Sequence, residues 1–590
     1  MHSAKNIILV NSISPRKRSF SDNCLENGIS IIVSYLKSKG VDTYVVDHQN
    51  LTDYKKGLPP GILKLLRFLY SIQLYLFEKN KSKAITTILF LITSPVQRIV
   101  DKLRWTYLNH LSSKIITLIK QNQPLTVGFK LWHGDAYKWA KITASQIKRN
   151  YPNMLLIAGG PHASIYGKHI LDDSDFDILV VGEGEYALYE IIKKINPNNI
   201  NDTLHAVSTS QIQNTIVKSN GGITYEPAKV NDISSKTISE YSKYQLTSKI
   251  LIHPIIDGLG CPWSKCYFCA HPSIYPNYKA RPVEKTVKEM AYMLKQGIGL
   301  FRFCASDTPV AIAGKLAKQI LEHDMKVEFA FFSRAIKNAQ SNQDFIKNMY
   351  KDIIQAGLRC VFIGAECGNN EVNIRIFNKN VTDLDIIYTI KSIRLASVEC
   401  NLPCSIILAT IYPPPGLNRE ELKGIEEDNL RLVEQCEPDS VLITPPGTFP
   451  NTQWYDKKED FGIQLSEDYI KRLMSYEYVL YKPRKMWPKI DIKINNMTWS
   501  EIMEYTDNIG KRIAKEGYLV NMPDEEIMMA NVMGYFGQKL KGFKREVLLD
   551  ILSGDDTFSK IVYDSVNQYS KRLAYSNDMK MLNNIINKDS

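Results

Sequence analysis

Gly258-Leu-Gly260-Cys261-Pro-Trp-Ser-Lys-Cys266-Tyr-Phe-Cys269 is the stretch that decides how the rest of this chain is read. It follows an apolar, strand-like run, Ile250–Ile256, and gathers three thiols within nine residues. Thiolates are soft ligands. Three of them can hold three irons of a 4Fe-4S cluster and leave the fourth iron open to an external ligand. The alternative is a zinc knuckle: a closed zinc site takes four ligands, and His271 could supply the fourth. Cys24, Cys304, Cys360, Cys367, Cys400, Cys404 and Cys436 are scattered, several within apolar strands, and read as core packing.

Working outward from this loop, strands are expected at Ile250–Ile256, Leu300–Cys304, Val327–Phe332, Cys360–Gly364, Cys404–Ala409 and Ser440–Thr444, with helical stretches between them. That pattern predicts a partial (β/α)6 barrel with functional groups at the carboxyl ends of its strands. Upstream, Asn6–Asn11, Val41–Asp47, Thr126–Trp132, Met154–Ala158 and Ile178–Val181 alternate with helical periodicity over Glu26–Gly40 and Ala136–Asn150. The alternation predicts a parallel, Rossmann-like sheet that binds ligands beyond its carboxyl edge. The expected fold class is therefore α/β in three parts. Residues 1–200 form the Rossmann-like domain, with a helical insertion at about 50–120. A polar connection follows over 201–245, then the barrel over 246–453 and a mostly helical C-terminal domain over 454–590.

The chain has 590 residues, too many for one core. Its net charge of +12 is spread along the sequence, and the clusters Pro15–Arg18 and Lys482–Lys485 are too short to act as nucleic-acid arms, so no nucleic-acid partner is expected. The N-terminus lacks the shape of a signal peptide. No segment reaches the ~20 apolar residues that span a bilayer. The nearest, Ile62–Phe77 and Ala84–Thr93, are expected to be buried or lid helices. Membrane-surface contact is the alternative, because apolar stretches with interspersed Lys and Arg also lie in an interface. A cytoplasmic location is expected, where ten cysteines mean thiols and metal ligands rather than disulfides.

The Gly-Cys-Pro-aromatic run followed by Cys-aromatic-Phe-Cys resembles the cluster loop of radical S-adenosylmethionine (SAM) enzymes, with four residues between Cys261 and Cys266 where the family usually has three. Phe301–Thr308, carrying Ser306 and Asp307, resembles the segment that presents polar groups to the SAM amino end. Phe332-Ser333-Arg334 resembles a strand end that approaches the methionine carboxylate or ribose. Phe362–Gly368, carrying Glu366, resembles the Gly-x-Glu strand end of the cobalamin-type branch, and Pro413–Gly416 and Pro445–Thr448 resemble its last two strand ends. The resemblance implies that Cys261, Cys266 and Cys269 hold the cluster and that Phe268 packs near the adenine. It also implies that Ser306, Asp307, Ser333, Arg334 and Glu366 contact SAM. SAM carries an ammonium and a carboxylate, so a buried strand-end Glu or Arg suits it in any case. An internal Arg334–Glu366 salt bridge is the alternative.

In the first domain, Gly159-Gly160-Pro161-His162-Ala163 and Gly182-Glu183-Gly184-Glu185 each follow a strand and enter a helix. Glycines at such turns let a ligand approach the backbone. Their order resembles the cobalamin-binding domain that precedes many radical SAM barrels. It implies that these residues, with Ser12, Trp132 and His133 at neighbouring strand ends, surround cobalamin. The Asp-x-His-x-x-Gly motif whose histidine ligates cobalt elsewhere does not occur. His133 is then either a lower-face neighbour of the cobalt or a residue that hydrogen-bonds within its loop.

The family likeness implies three cofactors, a 4Fe-4S cluster, SAM and cobalamin, and an electron donor such as flavodoxin or ferredoxin. The implied reaction is methyl transfer to an unactivated carbon, or to phosphorus, of a natural product, peptide or lipid. Cyclisation or rearrangement without methyl transfer is the alternative, and a zinc or Fe-S binding interaction protein is the alternative of another class.

Overall fold

The structure, a computed structural model, describes residues 6–78, 83–219, 222–225, 233, 236–482 and 486–587. The first five residues and the basic run Pro483–Lys485 lie outside these.

The N-terminal sheet is built from β1 (Asn6–Asn11), β2 (Asp42–Val46), β3 (Thr126–Lys130), β4 (Leu155–Gly159), β5 (Ile178–Val180), β6 (Thr215–Ser219) and β7 (Gly222–Tyr225), in the order β2-β1-β3-β4-β5-β6-β7. The first five are parallel, and apolar runs such as Ile7–Val10 are buried on both faces, as parallel strands covered by helices must be. One face carries Ile7, Leu9, Leu155, Ile157 and Val180 under helices Asn27–Ser38 and Glu185–Lys194. The other carries Val10, Phe129 and Ala158 against Trp139 and continues into the barrel core. The stretch expected to be a mere connection contributes helix Ile200–Thr209 and the antiparallel pair β6–β7, which extends the edge of β5. Thr215, Ile216 and Val217 of β6 are buried, although the stretch as a whole is polar in composition.

The second unit starts with β8 (Ile252–Ile255). A small antiparallel pair follows, β9 (Gly258–Leu259) with β10 (Lys279–Ala280). Then come β11 (Leu300–Phe303), β12 (Glu328–Arg334), β13 (Leu358–Glu366), β14 (Ser405–Ile411) and β15 (Ser440–Thr444). β8 and β11–β15 form one six-stranded parallel sheet in chain order, the partial barrel expected from the sequence. Its open side is bordered by segments from both ends of the chain. The Ile250 N–H donates to the Asn23 carbonyl (2.8 Å) beside β8, and the Asn521 N–H donates to the Val441 carbonyl (2.8 Å) on β15. Inward-facing Ile252, Leu300, Ala330, Cys360 and Ile407 pack against Ile527, Met529 and Phe543 of the C-terminal helices. At this floor Arg302 pairs with Asp524 (2.6 Å) and Glu525 (3.0 Å).

Beyond residue 454 the chain is not helical throughout: Ile463–Leu465, Ile492–Ile494 and Met497–Thr498 make a three-stranded antiparallel sheet before the helices from Trp499 onward. The insertion is two helices, Pro60–Glu78 and Lys83–Asn122. Leu63, Leu66 and Tyr70 of the first pack with Leu549 and Leu552 of the C-terminal region. No helix among the described residues is long and apolar enough to cross a membrane.

Candidate functional site

The cysteine loop leaves β8 at the barrel's carboxyl edge. Gly260 has φ +75°, and a Cβ there would stand 3.1 Å from the carbonyls of Tyr275 and Asn277, so this turn requires glycine. The extra residue between Cys261 and Cys266 is taken up by Ser264 in the left-handed region (φ +48°), whose hydroxyl donates to the Cys261 carbonyl. The far side of the loop is tied down by Trp263 Nε1–H to the Asn378 carbonyl (2.6 Å), Asn378 Nδ2–H to the Lys265 carbonyl (2.8 Å) and the Tyr267 N–H to the Phe377 carbonyl (3.1 Å). Phe268 packs against Phe377 and Trp454, ring centroids 5.7 Å away in each case. Burial pushes the Cys266 thiol up to about 12 and the Cys269 thiol to about 11, with Lys379 pulling both the other way. Such thiols ionise when a metal takes them, so metal binding here releases protons. Among the described residues no three His, Cys, Asp or Glu side chains converge as around one metal ion. Three cysteines on one loop match a cluster that gives each thiolate its own iron better than a closed zinc site. His271 is hydrogen-bonded to Ser306.

Facing this loop, the ends of β12 and β13 carry a compact charged group. Glu366, itself left-handed at φ +61°, pairs with Lys379 (2.5 Å) and not with Arg334. Arg334 donates Nη2–H to the Lys379 carbonyl (2.6 Å), and its guanidinium lies 5.1 Å from the Trp263 ring centroid. Its backbone N–H donates to Asp307 Oδ1 (3.0 Å), while its buried Nε has no protein partner. A Cβ on Gly364 would stand 2.7 Å from Glu366 Oε1 and 3.0 Å from Lys379 Nζ, so that glycine makes room for the pair. Ser333 does not join the group. Period-two alternation turns it to the outer side with Phe331, where it is buried beside Tyr350 of helix Gln343–Gln355.

A cavity of about 380 Å³ runs from inside the N-terminal domain to the barrel mouth. Its inner end lies between the sheet and helices Asn27–Ser38 and Glu185–Lys194, where it meets Leu9, Gly128, Ile157 and Ile32. Its outer end meets Gly260, Tyr275, Cys304 and Ser306. Gly128 stands in register between Leu9 and Ile157, so one missing side chain in the middle of a strand opens the slot. Of the residues expected around cobalamin, Gly159, Gly160, Pro161, Gly182, Glu183, Gly184 and Glu185 line this cavity. Gly160 has φ +92°. Glu183 and Glu185 are joined by Lys236 Nζ, 2.7 Å from Glu185.

Ser12, Trp132, His133 and His162 do not line it. Ser12 Oγ accepts the Trp132 N–H (2.9 Å), and Trp132 Nε1–H donates to Asn11 (2.8 Å). The His133 carbonyl accepts from Arg18 Nη1–H (3.1 Å). His162 is buried between Tyr137 and Tyr166, each 4.7 Å away, on the opposite side of the sheet. The helix beginning at Pro161 turns Ser164 toward the cavity and His162 away from it.

Residues 103–192 match the family described as "B12 binding domain". The cobalamin- and [4Fe-4S]-bound radical SAM methyltransferase TsrM from Kitasatospora setae shares the fold, with TM-score 0.58 and 14% identity over 94% of this chain and 100% of that one. The cobalamin-dependent SAM radical enzyme OxsB also shares it, with TM-score 0.52 and 16% identity over 99% of this chain and 80% of that one. The chain thus carries a B12-binding domain and shares the fold of these cobalamin-binding radical SAM enzymes. Among curated proteins, the anaerobic magnesium-protoporphyrin IX monomethyl ester cyclase of Cereibacter sphaeroides is 23% identical over 320 residues, 52% of this chain and 49% of that protein. The chain spans about half the length of the curated relatives it matches.

Sequence reading of this chain missed Lys379, Gly128, Lys130, Glu26 and Lys236. Only Gly128 left a signal, as a glycine within an apolar strand. Glu26 caps helix Asn27–Ser38, pairs with Lys130 and lines the cavity with it. The Glu26–Lys130 pair crosses 104 residues of sequence, which no local pattern reports.

Proposed function

We propose that this protein is a cobalamin-dependent radical SAM methyltransferase that alkylates an unactivated carbon, or phosphorus, of a natural product, peptide or lipid. The observation that carries the reading is the continuous cavity from the glycine turns of the B12-binding domain to the barrel mouth beside the cysteine loop. When bound, the cofactors supply reductive cleavage of SAM to a 5′-deoxyadenosyl radical and a transferable methyl group. The chain's own residues bind and orient. Cys261, Cys266 and Cys269 offer three thiolates and leave room for a fourth, external ligand. Arg334 has an unshared buried Nε–H, which suits a carboxylate such as that of SAM, and Asp307 and Ser306 border the same mouth. Gly159, Gly160, Gly182 and Gly184 would let cobalamin approach the backbone, and apolar Leu9, Ile32 and Ile157 would exclude water from its buried part. A cytoplasmic location and a flavodoxin or ferredoxin donor belong to the same proposal. Ring formation without methyl transfer is a second reading, favoured by the name of the cyclase relative.

The test is anaerobic reconstitution with iron, sulfide and hydroxocobalamin, then SAM and dithionite, read by mass spectrometry beside the Cys261→Ala/Cys266→Ala/Cys269→Ala variant. We expect retained cobalamin and 5′-deoxyadenosine from the wild type only. S-adenosylhomocysteine in addition supports methyl transfer, and its absence during substrate turnover supports the second reading. Bound zinc without a cluster overturns both.

A further inference from the structure

The helical insertion carries apolar surface that the protein itself leaves uncovered. On helix Pro60–Glu78, Leu65, Phe68 and Tyr75 recur at helical spacing and are exposed, Phe68 at 61%. On helix Lys83–Asn122, Ile88, Leu91 and Ile92 do the same, Leu91 at 63%. The opposite side of the first helix is satisfied internally, through Leu63, Leu66 and Tyr70. A folded monomer seldom exposes large side chains in such a run without a partner for them.

The charges beside these stripes indicate the partner's chemistry. Lys64, Arg98 and Lys102 are exposed next to the apolar positions. Asp101 is already bound to Arg16 and Tyr481. By sequence, residues 60–102 hold seven Lys and Arg against Glu78 and Asp101, so this segment contributes +5 of the chain's +12. From Ala84 to Gln97 there is no charged residue. Neither helix is long and apolar enough to span a bilayer. Apolar stripes flanked by bases, on helices too polar to cross, fit the interface of an anionic membrane, with side chains among the acyl chains and bases at the phosphates.

We propose that this helical insertion docks the protein on an anionic lipid bilayer. The docking is independent of the reaction the barrel performs. The test is co-sedimentation of the full chain with phosphatidylglycerol vesicles and, separately, phosphatidylcholine vesicles at low and moderate salt. The wild type is expected to sediment with the anionic vesicles and to be released as salt screens the bases. Phe68→Glu/Leu91→Glu should weaken binding at least about tenfold, since each replaced side chain forfeits the burial of a large apolar group. Lys64→Glu/Arg98→Glu/Lys102→Glu should weaken it only for anionic vesicles. All these positions are exposed, and unchanged circular dichroism melts will confirm that the variants fold. Failure to bind either vesicle overturns the proposal, as does equal binding by Phe68→Glu/Leu91→Glu. A lipid-free dimer that dissociates in that variant also overturns it, because the stripe then covers a second copy of this chain.

Discussion

Replacing Gly128 by valine tests the cavity at its narrowest argument. Gly128 lies in the middle of β3 between Leu9 and Ile157, and a Cβ there would stand 2.9 Å from Leu9 Cδ2. Overpacking of this kind costs about 1–3 kcal/mol, while removing glycine from a strand interior returns about 0.5–1 kcal/mol. The net loss is about 1–2 kcal/mol, small against the roughly 5–15 kcal/mol that holds a folded protein together. The apoprotein should therefore fold, with its unfolding temperature lowered by a few degrees. Ligand binding should respond far more. The valine methyls and a displaced Leu9 enter the inner end of a cavity of only about 380 Å³. Cobalamin retained after anaerobic reconstitution and desalting, read from its visible absorbance per chain, should fall about tenfold or more, with Gly128→Ala intermediate. The cluster absorbance should be unaffected, because Gly128 lies in the N-terminal sheet at the inner end of the cavity and donates nothing to the cysteine loop. Stoichiometric cobalamin with an unaltered spectrum in Gly128→Val would refute the assignment of this slot to the cofactor.

Two further outcomes follow from the buried charges. Lys379→Met removes the partner of buried Glu366, and breaking such a pair costs about 3–5 kcal/mol. Denaturant unfolding of the apoprotein measures it, and a loss below about 1 kcal/mol would mean that the pair is solvated. Burial lowers His133 to about 4 and His162 to about 3 from an ordinary 6.5, with Arg18 adding to the effect on both. Below pH 6.5 the unfolded chain takes up protons that the folded chain refuses, so stability falls as pH drops from 6.5 toward 4. Each histidine contributes about 2 kcal/mol of that loss by pH 5. His162→Phe should flatten the acid limb of apoprotein stability between pH 7 and 5, and an unchanged slope would show that His162 is accessible to water.

The sequence alone determined the elements that depend on local chemistry. Parallel strands buried on both faces are continuous apolar runs, so β1, β3, β11 and β13 were legible, as was the cysteine loop opened by Gly258 and Gly260. Glycine turns after β4 and β5 were equally readable, because a turn close to a ligand needs glycine whatever surrounds it. Tertiary structure decided which way side chains point and which distant groups meet. His162 and Ser164 lie two residues apart on one helical turn, yet only Ser164 reaches the cavity. Ser333 and Arg334 are adjacent, yet only Arg334 joins the charged group at the barrel mouth, because successive strand residues face opposite sides. Lys379 comes to Glu366 from a loop beyond the next helix, and the open side of the barrel is bordered by Asn23 and Asn521, nearly 500 positions apart. Residue spacing carries no record of such meetings. They exist because each buried charge must find a partner, and the fold determines which one is within reach.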